Sequence, residues 1–118
     1  MSKSKGKTSK IKFYIELDEN NVPHAIEWNA SDSEHKENKK CKSISIAIWD
    51  TEEKNTLSIG LWTKEMLVDE MNSHFLQTVM TLAENFQRAT NQEFVMDETK
   101  AFCENIANKI KEKNTSSQ

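Results

Sequence analysis

The chain is 118 residues long, carries 16 Lys and Arg against 19 Asp and Glu, and has a formal net charge of −3. That length fits one domain whose core forms without a metal or disulfide staple. So balanced a charge offers no general field to gather nucleic acid or anionic lipid, and neither partner is expected. Leu, Ile, Val and Phe make up about one residue in five, so the expected core is lean, although the small net charge favours folding over disorder. No run approaches the roughly 18 apolar residues of a bilayer span, and the start of the chain has no apolar signal region, so a soluble, cytoplasmic protein is expected.

Residues 1–10 hold four lysines and no acid, and after Met1 no large apolar side chain. Such a segment cannot bury enough surface to offset the entropy of ordering, and a disordered basic tail is predicted. Ile11-Lys-Phe13-Tyr-Ile15-Glu-Leu17 then alternates with the period of a strand that buries one face. Asp18-Glu-Asn-Asn21 supplies turn chemistry, Pro23 suits a strand start, and His24 to Trp28 reads as the second strand of a hairpin. Residues 29–40 are almost wholly polar and predict a solvated loop. Cys41 to Trp49 and Thr56 to Trp62 repeat the two-residue period around a polar turn at Asp50 to Asn55, which predicts a second hairpin.

After Thr63 the period lengthens. Val68, Met71, Phe75, Val79, Leu82, Phe86 and Ala89 recur three or four apart, widened by Leu76, Met80 and Ala83, and predict a long amphipathic helix. Asp69 and Glu70 at its start and Arg88 near its end suit the helix dipole. Asn91-Gln-Glu interrupts the pattern. A second helix is expected behind Asp97 as cap, with Phe102, Ile106 and Ile110 facing inward. Strands in one run and helices in the next predict an α+β fold: a four-stranded antiparallel sheet of two hairpins, followed by two helices packed on one face. The single domain is expected over 11–113, with 114–118 frayed.

No catalytic, cofactor-binding or metal-binding residue is assigned. His24, His35 and His74 fall in separate elements; no paired-cysteine or His-Glu-x-x-His motif occurs; and Gly6 and Gly60, the only glycines, build no phosphate loop. Cys41 and Cys103 lack metal or redox spacing and read as free thiols. His74 reads as a boundary residue of the long helix, and an enzyme would require His74 or Cys103 to meet a carboxylate. The expectation is a non-enzymatic protein.

If Ile44, Ile46, Ile48, Leu57, Ile59 and Leu61 face the helices, parity sends Trp49 and Trp62 to the outer face, among Ser45, Ala47, Ser58 and Gly60. Tyr14 has the same outward parity on the first strand. Indoles and a phenol on a face of small side chains suggest a protein-binding surface formed by Trp49, Trp62 and Tyr14. The alternative is that loop 29–40 or a strand end covers them. The same face suits a homodimer, or a partner strand adds to an open sheet edge, for which His24 to Trp28 is the candidate.

Ile15-Glu-Leu-Asp-Glu-Asn20 through Val22-Pro23, Ile26-Glu-Trp28, Ile48-Trp49-Asp50, Leu61-Trp62-Thr-Lys64, Val68-Asp-Glu-Met71 and Phe86-Gln-Arg-Ala-Thr90 stand in an order and spacing that resemble the gliding motility-associated GldC family, over roughly residues 11 to 110. The Phe102-Cys103 pair fits as well. The resemblance implies a cytoplasmic accessory protein of bacterial gliding, an adaptor with protein partners in the gliding and type IX secretion apparatus; it transfers no catalytic motif. Leu67 stands where the family tends to have Pro before the Val-Asp-Glu-Met run, and residues 31–40 are unusually rich in Lys and Glu. The order of strands and helices is also similar to the SecB export chaperone, which makes a chaperone of unfolded client chains the alternative.

Overall fold

The computed structural model describes residues 6–34 and 36–116. It divides into two compact units, Met1–Met66 and Leu67–Gln118, where the sequence predicts one domain over 11–113.

The first unit is built of strands: β1 (Ile11–Leu17), β2 (Pro23–Ala30), β3 (Lys39–Cys41), β4 (Ser43–Trp49) and β5 (Thr56–Trp62). They do not form one four-stranded sheet. β1, β2 and β3 make a three-stranded antiparallel sheet in that order, and β4 with β5 makes a two-stranded one. The correction has two causes. The stretch predicted as one strand from Cys41 is interrupted at Lys42, so residues 39–41 join the ladder of β2 while 43–49 join that of β5. The Lys42 carbonyl accepts the Thr63 N–H at 2.8 Å, so this one length of chain serves both ladders. Second, Lys39 and Lys40, predicted as loop, are strand: exposed lysines suit a short sheet edge, where ladder bonds rather than a buried face hold the segment.

β2 is the central strand of its sheet and the most covered one, and its Ile26 keeps only 1% of its surface. Phe13 and Ile15 of β1 stand opposite Trp28 and Ile26, which gathers the apolar side chains on one face. Pro23 begins β2 beside a register shift at Glu16/Leu17, where a ladder donor is dispensable. The tight turn before it is held by Asp18. Its Oδ1 accepts the N–H groups of Asn20 and Val22 at 2.8 and 3.0 Å, and Asn21 takes the left-handed conformation that the turn requires. Asp50 repeats the device between β4 and β5, accepting from Glu52 and Glu53 at 3.0 and 2.7 Å, with Lys54 left-handed.

The second unit is a helical hairpin of α1 (Val68–Thr90) and α2 (Phe94–Ser116), which pack against each other. α1 starts at Leu67, whose N–H donates to the Glu70 carboxylate at 2.9 Å. Leucine has no side-chain acceptor to return the bond, so only half of a capping box is made. Asn91 closes α1 in the left-handed conformation with its N–H on the Gln87 carbonyl at 2.7 Å. α2 begins at Phe94, so Asp97 lies in the first turn rather than at the cap; there it still opposes the positive end of the dipole.

The covered line of α1 is narrower than the predicted stripe. Met71, Leu76, Val79, Met80 and the buried Ala83, all members of that stripe, are covered, whereas Val68, Phe75, Leu82, Phe86 and Ala89 are exposed. In α2 Val95, Met96, Thr99, Cys103, Ile106, Ala107 and Ile110 are half-buried, and Phe102 is exposed.

The expected tail over 1–10 falls partly outside the described residues. Within them, Lys10 exchanges hydrogen bonds with Ser31, and Ser9 Oγ donates to Asp32 Oδ2 at 2.5 Å. At the other end, helix continues to Ser116, with Thr115 Oγ1 bonded to the Lys111 carbonyl; residues 117–118 lie outside the described set.

Candidate protein-binding face

The β4–β5 register sorts the hairpin into two chemically distinct faces. Ile44 stands opposite Leu61, Ile46 opposite Ile59 and Ile48 opposite Leu57, which makes one face wholly aliphatic. The other pairs Ser43 with Trp62, Ser45 with Gly60, Ala47 with Ser58 and Trp49 with Thr56. This is the division that alternation predicts, because successive side chains of a strand point to opposite sides.

On the second face the two indoles stand at opposite ends, about 20 Å apart along the strands at about 3.3 Å per residue. Trp49 retains 66% of its surface and Trp62 58%. Between them lie only hydroxyl, methyl and hydrogen. A side chain built onto Gly60 would meet nothing within 4 Å, so the fold itself does not call for glycine there. The result is a shallow, flat floor with an aromatic wall at each end. Indoles supply large contact area at small entropic cost and a donor N–H for a partner carbonyl.

Tyr14 is exposed at 47%, but it belongs to the other sheet, opposite Glu27 on the polar face of β1 and β2, with Lys12 and Glu16 as same-face neighbours on its own strand. Trp49 and Trp62 thus share one face, and Tyr14 stands on a separate sheet. The edge role expected of His24 to Trp28 is not what the topology gives: β2 is the central strand, paired with β1 on one side and, at Ile26, Glu27 and Trp28, with β3 on the other.

Where β2, β3 and the end of β5 meet, a cleft of about 350 Å³ is lined by His24, Glu27, Lys40, Cys41, Thr63 and Glu65 among others. Its one thiol, Cys41, has its pKa raised by burial, which lowers the thiolate fraction and with it nucleophilicity. Cys103 is also a free thiol. Among the described residues no group of three or more His, Cys, Asp and Glu is placed to hold a metal ion, and no helix is long and apolar enough to cross a membrane.

Fold and surface together define a small α+β protein in which a strand unit carries an exposed aromatic face and precedes a helical hairpin. The family model described as gliding motility-associated protein GldC-like matches residues 23–112, more than half of the chain, and the chain belongs to that family. The match takes in Trp49, Trp62 and Gly60, and leaves β1 with Tyr14 outside it. Comparison with curated proteins and with solved structures returned no match.

Proposed function

We propose that this protein is a non-enzymatic accessory factor of bacterial gliding motility, an adaptor that docks in the cytoplasm onto a protein of the gliding and type IX secretion machinery. Family membership supports the process. The observation that carries the binding role is the small-residue face of the β4–β5 hairpin, where Trp49 and Trp62 flank a floor of Ser, Ala and Gly. A flat floor of small side chains with aromatic ends suits a partner that lays a strand or loop across it, burying both indoles.

The test is co-purification of tagged chain from gliding cells, comparing the parent with Trp49→Ala/Trp62→Ala and with Gly60→Val. The two replacements act in opposite ways, one removing the anchors and the other filling the floor, and both should release the same partner. Unchanged capture by both variants rules this face out.

The SecB-like reading keeps one observation in its favour, the exposure of Ile48, Leu57 and Ile59 on the aliphatic face of the same hairpin. An export chaperone uses such apolar surface to hold unfolded chains. Suppression of aggregation of an unfolded test protein separates the two: an adaptor leaves it unchanged, a chaperone reduces it at near-stoichiometric ratio.

A further inference from the structure

We infer that β1 is a self-association edge: a second copy of this chain pairs with it antiparallel about a two-fold axis at Tyr14, joining two three-stranded sheets into one of six.

The first observation is positional. β1 is the end strand of its sheet, and all seven of its residues are exposed. The Ser31 N–H donates to the Lys10 carbonyl at 2.9 Å, so the even-numbered residues of this stretch direct their backbone groups toward β2. The odd ones, Ile11, Phe13, Ile15 and Leu17, therefore turn their N–H and C=O groups to the free edge, in a row matched for an antiparallel ladder.

The second is the order of side chains. Laid antiparallel on itself with Tyr14 facing Tyr14, the strand sets Lys12 against Glu16 of the second copy and Glu16 against its Lys12. The same register sets Ile11 against Leu17 and Phe13 against Ile15, and it overlaps the full strand with up to about eight backbone hydrogen bonds. A parallel copy in register would instead face Lys12 with Lys12 and Glu16 with Glu16. The two charges thus reject one orientation and select the other. Because paired residues share a face, the apolar row of Phe13 and Ile15, already continuous with Trp28 and Ile26, extends across the axis. Glu16 also takes a hydrogen bond from His24 Nε2 at 2.7 Å through one carboxylate oxygen, and the second oxygen remains for Lys12 of the other copy.

The other edges are less suited. β3 at the far side of the sheet is three residues long with two lysines, the usual device for discouraging strand addition. β4 and β5 carry no charge that could fix a register.

The experiment is sedimentation equilibrium of the full chain over a wide concentration range, with Lys12→Glu, Glu16→Lys and the double exchange Lys12→Glu/Glu16→Lys. Each single change places two like-charge pairs across the axis and should weaken the dimer about tenfold or more, whereas the double exchange restores opposite charges and should return the dissociation constant to within a few-fold of the parent. Tyr14→Cys reads the register directly. Facing residues in a non-hydrogen-bonded antiparallel pair are about 4.5 Å apart at Cα, within disulfide reach, so mild oxidation should link two copies through position 14, identified by peptide mass. Circular dichroism confirms that each variant stays folded. A parent that remains monomeric, single exchanges without effect, or a double exchange that fails to restore association each overturns the proposal. A dimer that ignores the charge exchanges but dissociates on Trp49→Ala/Trp62→Ala would place the contact on the hairpin face instead.

Discussion

The strand unit and the helical unit reach local order by different means. In the first, carboxylates inside the turns do the specifying: Asp18 and Asp50 each accept two backbone N–H groups and hold the connection that sets a register. In the second, the termini specify, through Glu70 at the start of α1 and the left-handed Asn91 at its end. Burial separates them too. Ile26 is a large aliphatic side chain almost wholly enclosed, while the buried apolar residue of the helices is Ala83. A unit with one enclosed large side chain should depend on it steeply; a unit held by its ends should respond to many small changes.

Truncating Ile26 gives the largest expected effect. Ile26→Ala removes the enclosed side chain of the central strand and should destabilise by about 3 kcal/mol, in the range for buried aliphatic truncations, measured by denaturant unfolding. Hydrogen exchange should locate the loss in β1 to β3. The matching change in the helical unit is smaller. Asn91→Val puts a β-branched residue into a left-handed conformation and should cost about 1–2 kcal/mol. If it costs as much as Ile26→Ala, the contrast between the units fails.

Much of this was readable in the sequence where one constraint acted alone. The isoleucines of β4 had a single way to alternate, and the register pairs them as parity requires. The end of α1 was legible as the Asn91-Gln-Glu break in the apolar spacing, and the left-handed conformation of Asn91 is its physical cause. β3 was not, since Lys39 and Lys40 carry no apolar period and owe their strand to ladder bonds with β2. The face of α1 was ambiguous for the opposite reason. Apolar residues cover so much of its circumference that spacing allows several stripes, and the covered one runs through the small Ala83 rather than through Phe75 and Phe86. Of the candidate surface, parity was enough to group Trp49 with Trp62, but placing Tyr14 on a separate sheet required knowing that the chain divides its strands three and two.

A gain sharpens the picture of termini as the helical unit's controls. Leu67 occupies the cap of α1 with 62% of its surface exposed, so replacing it loses little packing. Leu67→Ser places a hydroxyl acceptor at the N-cap and completes the box with Glu70, and should stabilise by about 1 kcal/mol in thermal unfolding. A Leu67→Ala control should give no such gain.

The smallest effect lies in the turn of Asp18 and is read best by titration. Lys64 Nζ sits 2.5 Å from its Oδ2, and that bond, followed by the N–H of Val22 and opposed in part by desolvation, lowers the carboxyl from 3.8 to about 2. A carboxyl depressed in the folded state binds its proton more readily when unfolded. Its contribution to stability is therefore complete above the unfolded value and is lost as pH falls from about 3.8 toward 2. Lys64→Ala should raise the folded value without restoring 3.8, because Val22 and Asn20 still donate to the carboxylate. Carbon-detected titration of the Asp18 carboxyl in parent and variant measures both values. Added salt should move the parent partway toward the variant, since it screens the exposed ammonium but leaves the backbone donors in place. A variant that titrates like the parent would show that the turn alone sets the carboxyl, and that the strand unit's specification is even more local than the lysine contact suggests.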